Sequence, residues 1–307
     1  MVDAARPGRL AGDERLPPWV PFDRGTQPPT RSRWFRGPRM TTTNAGATPS
    51  DTAVAPTPNA SEAPFIIWTF RRTGGTSLRS IFFWLSPFEA WQDEGFNRDR
   101  ELGAITREFE ASQDLAALEA SVGDVVARRK NLKHCIEVVP YQVTSSLLRQ
   151  SVAAGYRHLV LLRLDEVERQ LSLALARVTN AWGPSEAAAI YDEIRAGTRK
   201  LEPLNIVQIR RELDRDAAAL GRLMRLMLQH RANYALTFFE DLYRGEFADR
   251  VAEVRRVATL LGLSRAANEA DAAFRTALMQ RSQGTRDIFG FVPNLDEAKA
   301  AIAELTR

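Results

Sequence analysis

The chain has 307 residues, 44% of them hydrophobic and 26% charged, the composition of a globular protein with room for one large domain. Its net charge of +4 is scattered without long basic runs, which suits small anionic ligands and argues against nucleic acid as a partner. A lone cysteine, Cys135, excludes an internal disulfide and fits a reducing compartment, so a cytoplasmic location is expected.

Residues 1–63 are rich in Pro, Arg, Thr, Ala and Gly, lack helical or strand period, and read as a disordered tail ahead of one domain over 64–307. They contain no apolar signal-peptide core, and no run of about 18 apolar residues occurs, so neither that secretion route nor a membrane span is expected. Met40 is a second candidate start. The organising stretch is Pro64–Phe83, PFIIWTFRRTGGTSLRSIFF. Phe65–Phe70 is the apolar, β-branched and aromatic run of a strand buried on both faces. Arg71, Arg72, Thr73, Gly74, Gly75, Thr76 and Ser77 follow, and then Leu78, Ile81, Phe82 and Leu85 at helical spacing. In such a strand–turn–helix, paired glycines let backbone approach a ligand closely, and the first helical amides, free of internal partners, favour an anion. Arg71 and Arg72 add charge, and the hydroxyls of Thr73, Thr76 and Ser77 add donors. A Walker A loop is excluded, because the Lys is missing and the glycine spacing is narrower.

The helix stops at Ser86-Pro87. A short strand is expected over Phe88–Trp91, then a loop, Gln92–Asn97, that places Glu94 near a strand's carboxyl end, where open α/β sheets hold their ligands. Glu94 is therefore a candidate general base. Helices are expected over Leu102–Phe109 and Leu115–Arg129, and a second buried strand over Leu132–Val139, with His134 in it beside Lys133. Val143–Ala154 reads as a helix closed by Gly155, and Tyr156–Arg163 as the third strand, running into a helix with Asp165 near its start and Ser172 inside. Ser185–Gly197 and the long amphipathic stretch Leu204–Asn233 are helical, Tyr234–Phe239 is a fourth strand, and helices follow over Phe247–Leu261 and Glu269–Gln280. A basic turn, Arg281–Arg286, comes late in the chain.

The segment F-R-R-T-G-G-T-S-L-R resembles the phosphosulfate loop of sulfotransferases that use 3′-phosphoadenosine 5′-phosphosulfate (PAPS), commonly P-K-[ST]-G-[GST]-T-[ST]. Arg71 stands where the family has Pro and Arg72 where it has a Lys that contacts the leaving phosphate. The segment LLRLDEVERQLSLALA resembles the family's site for the 3′-phosphate, an Arg closing a strand and a Ser nine residues on, here Arg163 and Ser172. That spacing is similar to the bacterial trehalose-sulfating branch, which uses a glutamate soon after the first helix, where Glu94 stands. Other members use a histidine base, which makes His134 the rival. Phe239-Glu240-Asp241-Leu242 resembles the family's Y-E-D-L segment, and Arg286 lies where the family closes a basic loop over the nucleotide. The resemblance spans about residues 64–290.

Together these readings imply a three-layer α/β fold with a mainly parallel sheet and a P-loop-like phosphosulfate-binding turn. The expected activity is transfer of a sulfuryl group from PAPS to a hydroxyl of a carbohydrate or glycolipid acceptor, without a metal, since no His/Cys/carboxylate set has ligand spacing. Arg72, with Glu94 or His134, is expected at the chemistry, and Arg71–Ser77 with Arg163 and Ser172 at the donor. Two alternatives stay open: a degenerate sulfotransferase fold that binds without turnover, and a P-loop-type small-molecule kinase. Acceptor and oligomeric state, including any homo-oligomer, are not encoded in a motif.

Overall fold

In the computed structural model the described residues are 62–265, 267–279 and 285–306. The tail read as disordered lies outside them but for its last two residues, as do positions 281–284 of the basic turn. The fold is α/β, built on four parallel strands: β1 (Phe65–Thr69), β2 (Leu132–Cys135), β3 (Arg157–Leu162) and β4 (Tyr234–Phe238), in the order β2-β1-β3-β4. Every residue of β1 is buried, as its unbroken apolar run requires of a strand flanked on both sides. From β1 the chain proceeds to a strand on one side, and from β3 to a strand on the other. The carboxyl ends of β1 and β3 therefore flank the crevice where open parallel sheets bind ligands.

Strand alternation divides the core. Ile66, Trp68, Leu132 and Val160 pack against α2 (Gly103–Ser112), α3 (Leu115–Ala127), α4 (Tyr141–Ala153) and α7 (Ile206–Gln229). Phe65, Ile67, Leu159 and Leu161 pack against α1 (Gly75–Leu85), α9 (Phe247–Leu260) and α10 (Ala272–Met279). A third apolar cluster joins α5 (Glu166–Thr179), α6 (Pro184–Arg195), the start of α7, a 3-10 helix (Thr285–Phe291) and α11 (Leu295–Leu305). A short helix, α8 (Phe239–Tyr243), follows β4 directly. Side-chain caps start α3, α5 and α7: Asp114, Asp165 and Asn205 each accept from an amide of the first turn. Among the described residues no helix is long and apolar enough to cross a membrane.

Several elements differ from the sequence reading, among them α8 and the 3-10 helix, which were not expected as helices. β2 ends at Cys135 rather than Val139: the Ile136 amide still bonds Thr69 O at 3.1 Å, and the chain then turns, Val138 N donating to Cys135 O, so that Glu137 reaches Arg71. Phe88–Trp91 supplies only an isolated bridge, Ala90 to Asn131. Asn131 is occupied there by its side chain, accepting from Phe65 N at 3.1 Å and donating to Phe88 O at 2.9 Å. Helix α11, which no expectation covered, closes the third cluster.

Two histidines are locked in the first cluster. Trp68 Nε1 donates to His158 Nδ1 at 3.1 Å, and His134 Nε2 lies 3.0 Å from Thr144 Oγ1, its ring edge-on to Trp68 and Phe96. Burial pulls His134 down to about 3 and His158 to about 4, so both are neutral in the native state. The unfolded chain takes up these protons first, near the ordinary histidine value of about 6.5. The stability they support is complete above that value and drains away as pH falls toward the native values, by up to about 1.4 kcal/mol per pH unit for each histidine. Urea unfolding between pH 7 and pH 4.5 should show this loss, and His134→Gln should flatten the slope by about one proton. Equal slopes would place the acid sensitivity elsewhere.

Candidate functional site

The turn between β1 and α1 is built around two glycines. Gly74 has φ +79° and caps α1, and a Cβ there would lie 2.8 Å from the ring of Phe239. A Cβ on Gly75 would meet Lys133 Cε at 2.9 Å. The space that glycine leaves is thus filled by Phe239 on one side and by Lys133 of β2 on the other. The amides of Gly75, Thr76 and Ser77 precede the first helical bond, from Leu78 N to Gly74 O at 3.2 Å, and the first turn of α1 holds no acidic residue. This is the positive end of a helix dipole at the carboxyl edge of the sheet.

The turn residues divide by role. Thr73 is fully buried; its hydroxyl donates to Phe70 O at 2.6 Å and touches Thr69 Oγ1, so it closes the turn and faces no ligand. Arg71 is held by Glu137, which accepts from its backbone N at 2.9 Å and from its Nε at 3.0 Å. Burial pushes the Glu137 carboxyl up, and Arg71 opposes this. Arg72 donates from Nε to Ser172 Oγ at 3.0 Å, and Ser172 Oγ lies 3.5 Å from Thr285 Oγ1. Tyr191 influences the Arg72 guanidinium electrostatically, and its hydroxyl is buried without a hydrogen-bond partner among the described residues.

Arg163, at the end of β3, reaches back to the turn. Its Nη1 donates to Arg72 O at 3.1 Å, and its guanidinium stands 4.4 Å over the Phe239 ring. Arg72, Arg163 and Ser172 are therefore brought together beside the paired glycines. Burial lowers the pKa of both arginines, Arg163 and Arg71 lower that of Arg72 further and Glu168 opposes the shift at Arg163, yet a guanidinium's intrinsic value is so high that both carry charge.

Glu94 and His134 are separated by the sheet. Glu94 Oε1 accepts from Lys133 Nζ at 2.9 Å, and the same ammonium bonds Thr76 Oγ1 at 3.2 Å, so Glu94 is one cation away from the glycine turn. Asp93 also approaches, its Oδ2 accepting from Thr76 Oγ1 at 3.2 Å and its Oδ1 lying 3.1 Å from Lys133 Nζ. Burial alone would raise the Glu94 carboxyl; Lys133 outweighs it and holds Glu94 below the usual carboxylate range. Burial likewise works against the Lys133 charge, and the surrounding acids more than restore it, so the ammonium is firmly protonated. His134, one residue along β2, points to the opposite face, into the Trp68–Phe96 cluster.

Backbone strain marks the same two places. Six non-glycine residues among those described have positive φ, and Gln113, Arg129, Asn180 and Arg231 do so at helix C-termini, where that conformation is common. Arg72 (φ 66°) and Glu94 (φ 55°) have no helix end to explain them. Such conformations persist where the surroundings over-determine them, often at binding and catalytic sites.

Lys133 is the residue that the motif reading passed over. A lysine inside a buried strand is rare enough to be a signal by itself, and alternation within Leu132–Cys135 puts it on the face opposite His134. Glu137 and Glu168, which organise Arg71 and Arg163, had no sequence signal, because the partner lies 66 residues away in the first case and across the β3–α5 junction in the second. A scan against protein-family models gives no match, and searches of curated proteins and of solved structures find no relative.

Proposed function

We propose that this chain is a sulfotransferase that binds PAPS across the carboxyl ends of β1 and β3 and passes its sulfuryl group to a hydroxyl of a carbohydrate or glycolipid acceptor. The observation that carries this reading is the contact of two phosphate-compatible elements at the switch point: a glycine turn leading into the first-turn amides of α1, and Arg163 with Ser172 bonded directly to Arg72 of that turn. An orphan nitrogen supports it. Among the described residues Arg163 Nε is buried without a partner, which fits a guanidinium built to take an anionic ligand.

PAPS supplies an activated sulfuryl group on a phosphate leaving group. The chain's residues supply the rest. Amides of Gly75, Thr76 and Ser77 bind the 5′ end, and Arg163 with Ser172 takes the 3′-phosphate. Lys133 places a protonated ammonium at Thr76, where the family relies on a loop lysine that this sequence replaces by Arg72, and steadies the charge that develops on the departing phosphate. Glu94, ionised at neutral pH, takes the proton from the acceptor hydroxyl. The reading in which the fold binds nucleotide without turnover gains weight from Arg72, whose guanidinium is committed to Ser172. Transfer of label from PAPS over an acceptor panel separates the two, since binding alone yields no sulfated product.

Arg163→Ala removes a charge-assisted contact worth about 1.5 to 3 kcal/mol, so calorimetric titration with adenosine 3′,5′-bisphosphate should weaken by roughly 10- to 150-fold. Saturation equal to that of the unaltered protein would exclude Arg163 from the site. Glu94→Gln should lower kcat by about 100- to 10,000-fold with nucleotide affinity little changed, while His134→Gln should leave kcat within a few-fold. In the pH–rate profile the acid limb belongs to Glu94 and lies below the ordinary carboxylate range. Lys133→Met removes the charge that holds it there, and the limb should move to higher pH.

A further inference from the structure

At the start of α5 one carboxylate has, among the described residues, guanidinium partners only. Glu168 takes Arg163 Nη2 at 2.8 Å from the end of β3, Arg244 Nη2 at 2.6 Å from the residue after α8, and both Nε and Nη2 of Arg286 from the 3-10 helix. Its acidic neighbours are otherwise employed. Asp165 caps α5 by accepting from Glu168 N at 2.9 Å and also meets Arg244 at 3.1 Å, while Glu240 accepts the amides of Leu164 and Asp165 at 3.0 and 3.2 Å. Three cations from three separate elements therefore converge on one monoanion with two oxygens. The innermost of them, Arg163, is only 6% exposed in its side chain and keeps Nε unpartnered.

That arrangement suits a different anion better. A phosphomonoester carries close to two negative charges near neutral pH and presents three terminal oxygens, one for each guanidinium fork. We propose that Glu168 is an internal stand-in for a ligand phosphate, which holds the three-arginine clamp together until a phosphomonoester dianion displaces its carboxylate into solvent. The outer arms leave a way out, since the side chains of Arg244 and Arg286 are 41% and 62% exposed. The inference rests on the nucleotide reading above and adds its regulation: affinity is set by exchange of one anion for another, and Arg244 joins Arg163 and Arg286 as a phosphate ligand.

The test uses the full chain and its Glu168→Gln and Glu168→Ala variants, two substitutions so that a folding defect in one leaves the other. Titration with adenosine 3′,5′-bisphosphate should show both variants binding about tenfold more tightly than the unaltered protein, with adenosine 5′-phosphate changed by less than about twofold. Unchanged bisphosphate affinity, or an equal gain for both nucleotides, overturns the stand-in role while leaving nucleotide binding intact. If no version binds either nucleotide but inorganic phosphate raises the melting temperature of the variants alone, the clamp stands and the nucleotide reading falls. Absence of both effects removes both.

Discussion

The hydrogen bond from Arg163 to the carbonyl of Arg72 spans 91 positions of sequence and fastens the end of β3 to the turn after β1. One ring supports it from below. Phe239, at the junction of β4 and α8, fills the space beside Gly74 and carries the Arg163 guanidinium on its face. Three strands thus meet at a single stack of glycine backbone, aromatic ring and guanidinium. A side chain at position 74 would displace the ring, and with it the cation, before any ligand was involved. The paired glycines, which invite explanation by ligand approach alone, are also required by the protein's own packing.

Around this stack the buried charges are paired with care. Arg169, 1% exposed, lies between Glu166 and Asp216 at 2.8 and 2.7 Å with Phe70 beneath it, and Arg71 is locked by Glu137. Such pairs contribute little net stability, yet losing one partner costs about 3 to 5 kcal/mol because the other charge is left stranded. Their effect is to fix side-chain position. They also isolate two pairs of another kind, Lys133 with Glu94 and Arg163 with Glu168, which face the edge of the sheet where the turn opens. The strained backbone of Arg72 and Glu94 lies in the same region, consistent with geometry held for a purpose other than stability.

Much of this architecture was legible in the residues. β1 and β3 were visible as short apolar runs, because strands covered on both faces leave little room for polar alternation, and Gly155 and Asp165 marked helix ends by their own conformational chemistry. Arg72, Arg163 and Ser172 were singled out by the family resemblance rather than by position alone, since Ser172 lies inside α5 with no strand end beside it, and whether the three met was left for the structure to show. What stayed hidden depended on contacts between distant segments. Nothing local says that Asn131 would satisfy Phe65 and Phe88 with its side chain and so end the pairing there, or that Glu137 would turn back to Arg71. Lys133 was readable by alternation, but a neighbouring histidine with a more familiar chemistry drew attention from it. α11 was missed because its small residues, Ala298 and Ala301, pack closely without the large apolar stripe that marks a helix.

That last helix has a consequence for how the protein is made. Ser172 is carried on α5, whose apolar side, Leu171 and Leu175, is covered in part by Ala298 and Ile302 of α11, with Asn294 bonded to the backbone of Leu204 at 2.8 and 3.0 Å. A chain emerging from the ribosome can pair its first three strands and shape the glycine turn long before these residues appear. The far wall of the crevice settles only after α11 has followed. The glycine turn and the wall that carries Ser172 thus depend on segments made at different times, one shaped early by the sheet and the other only by α11.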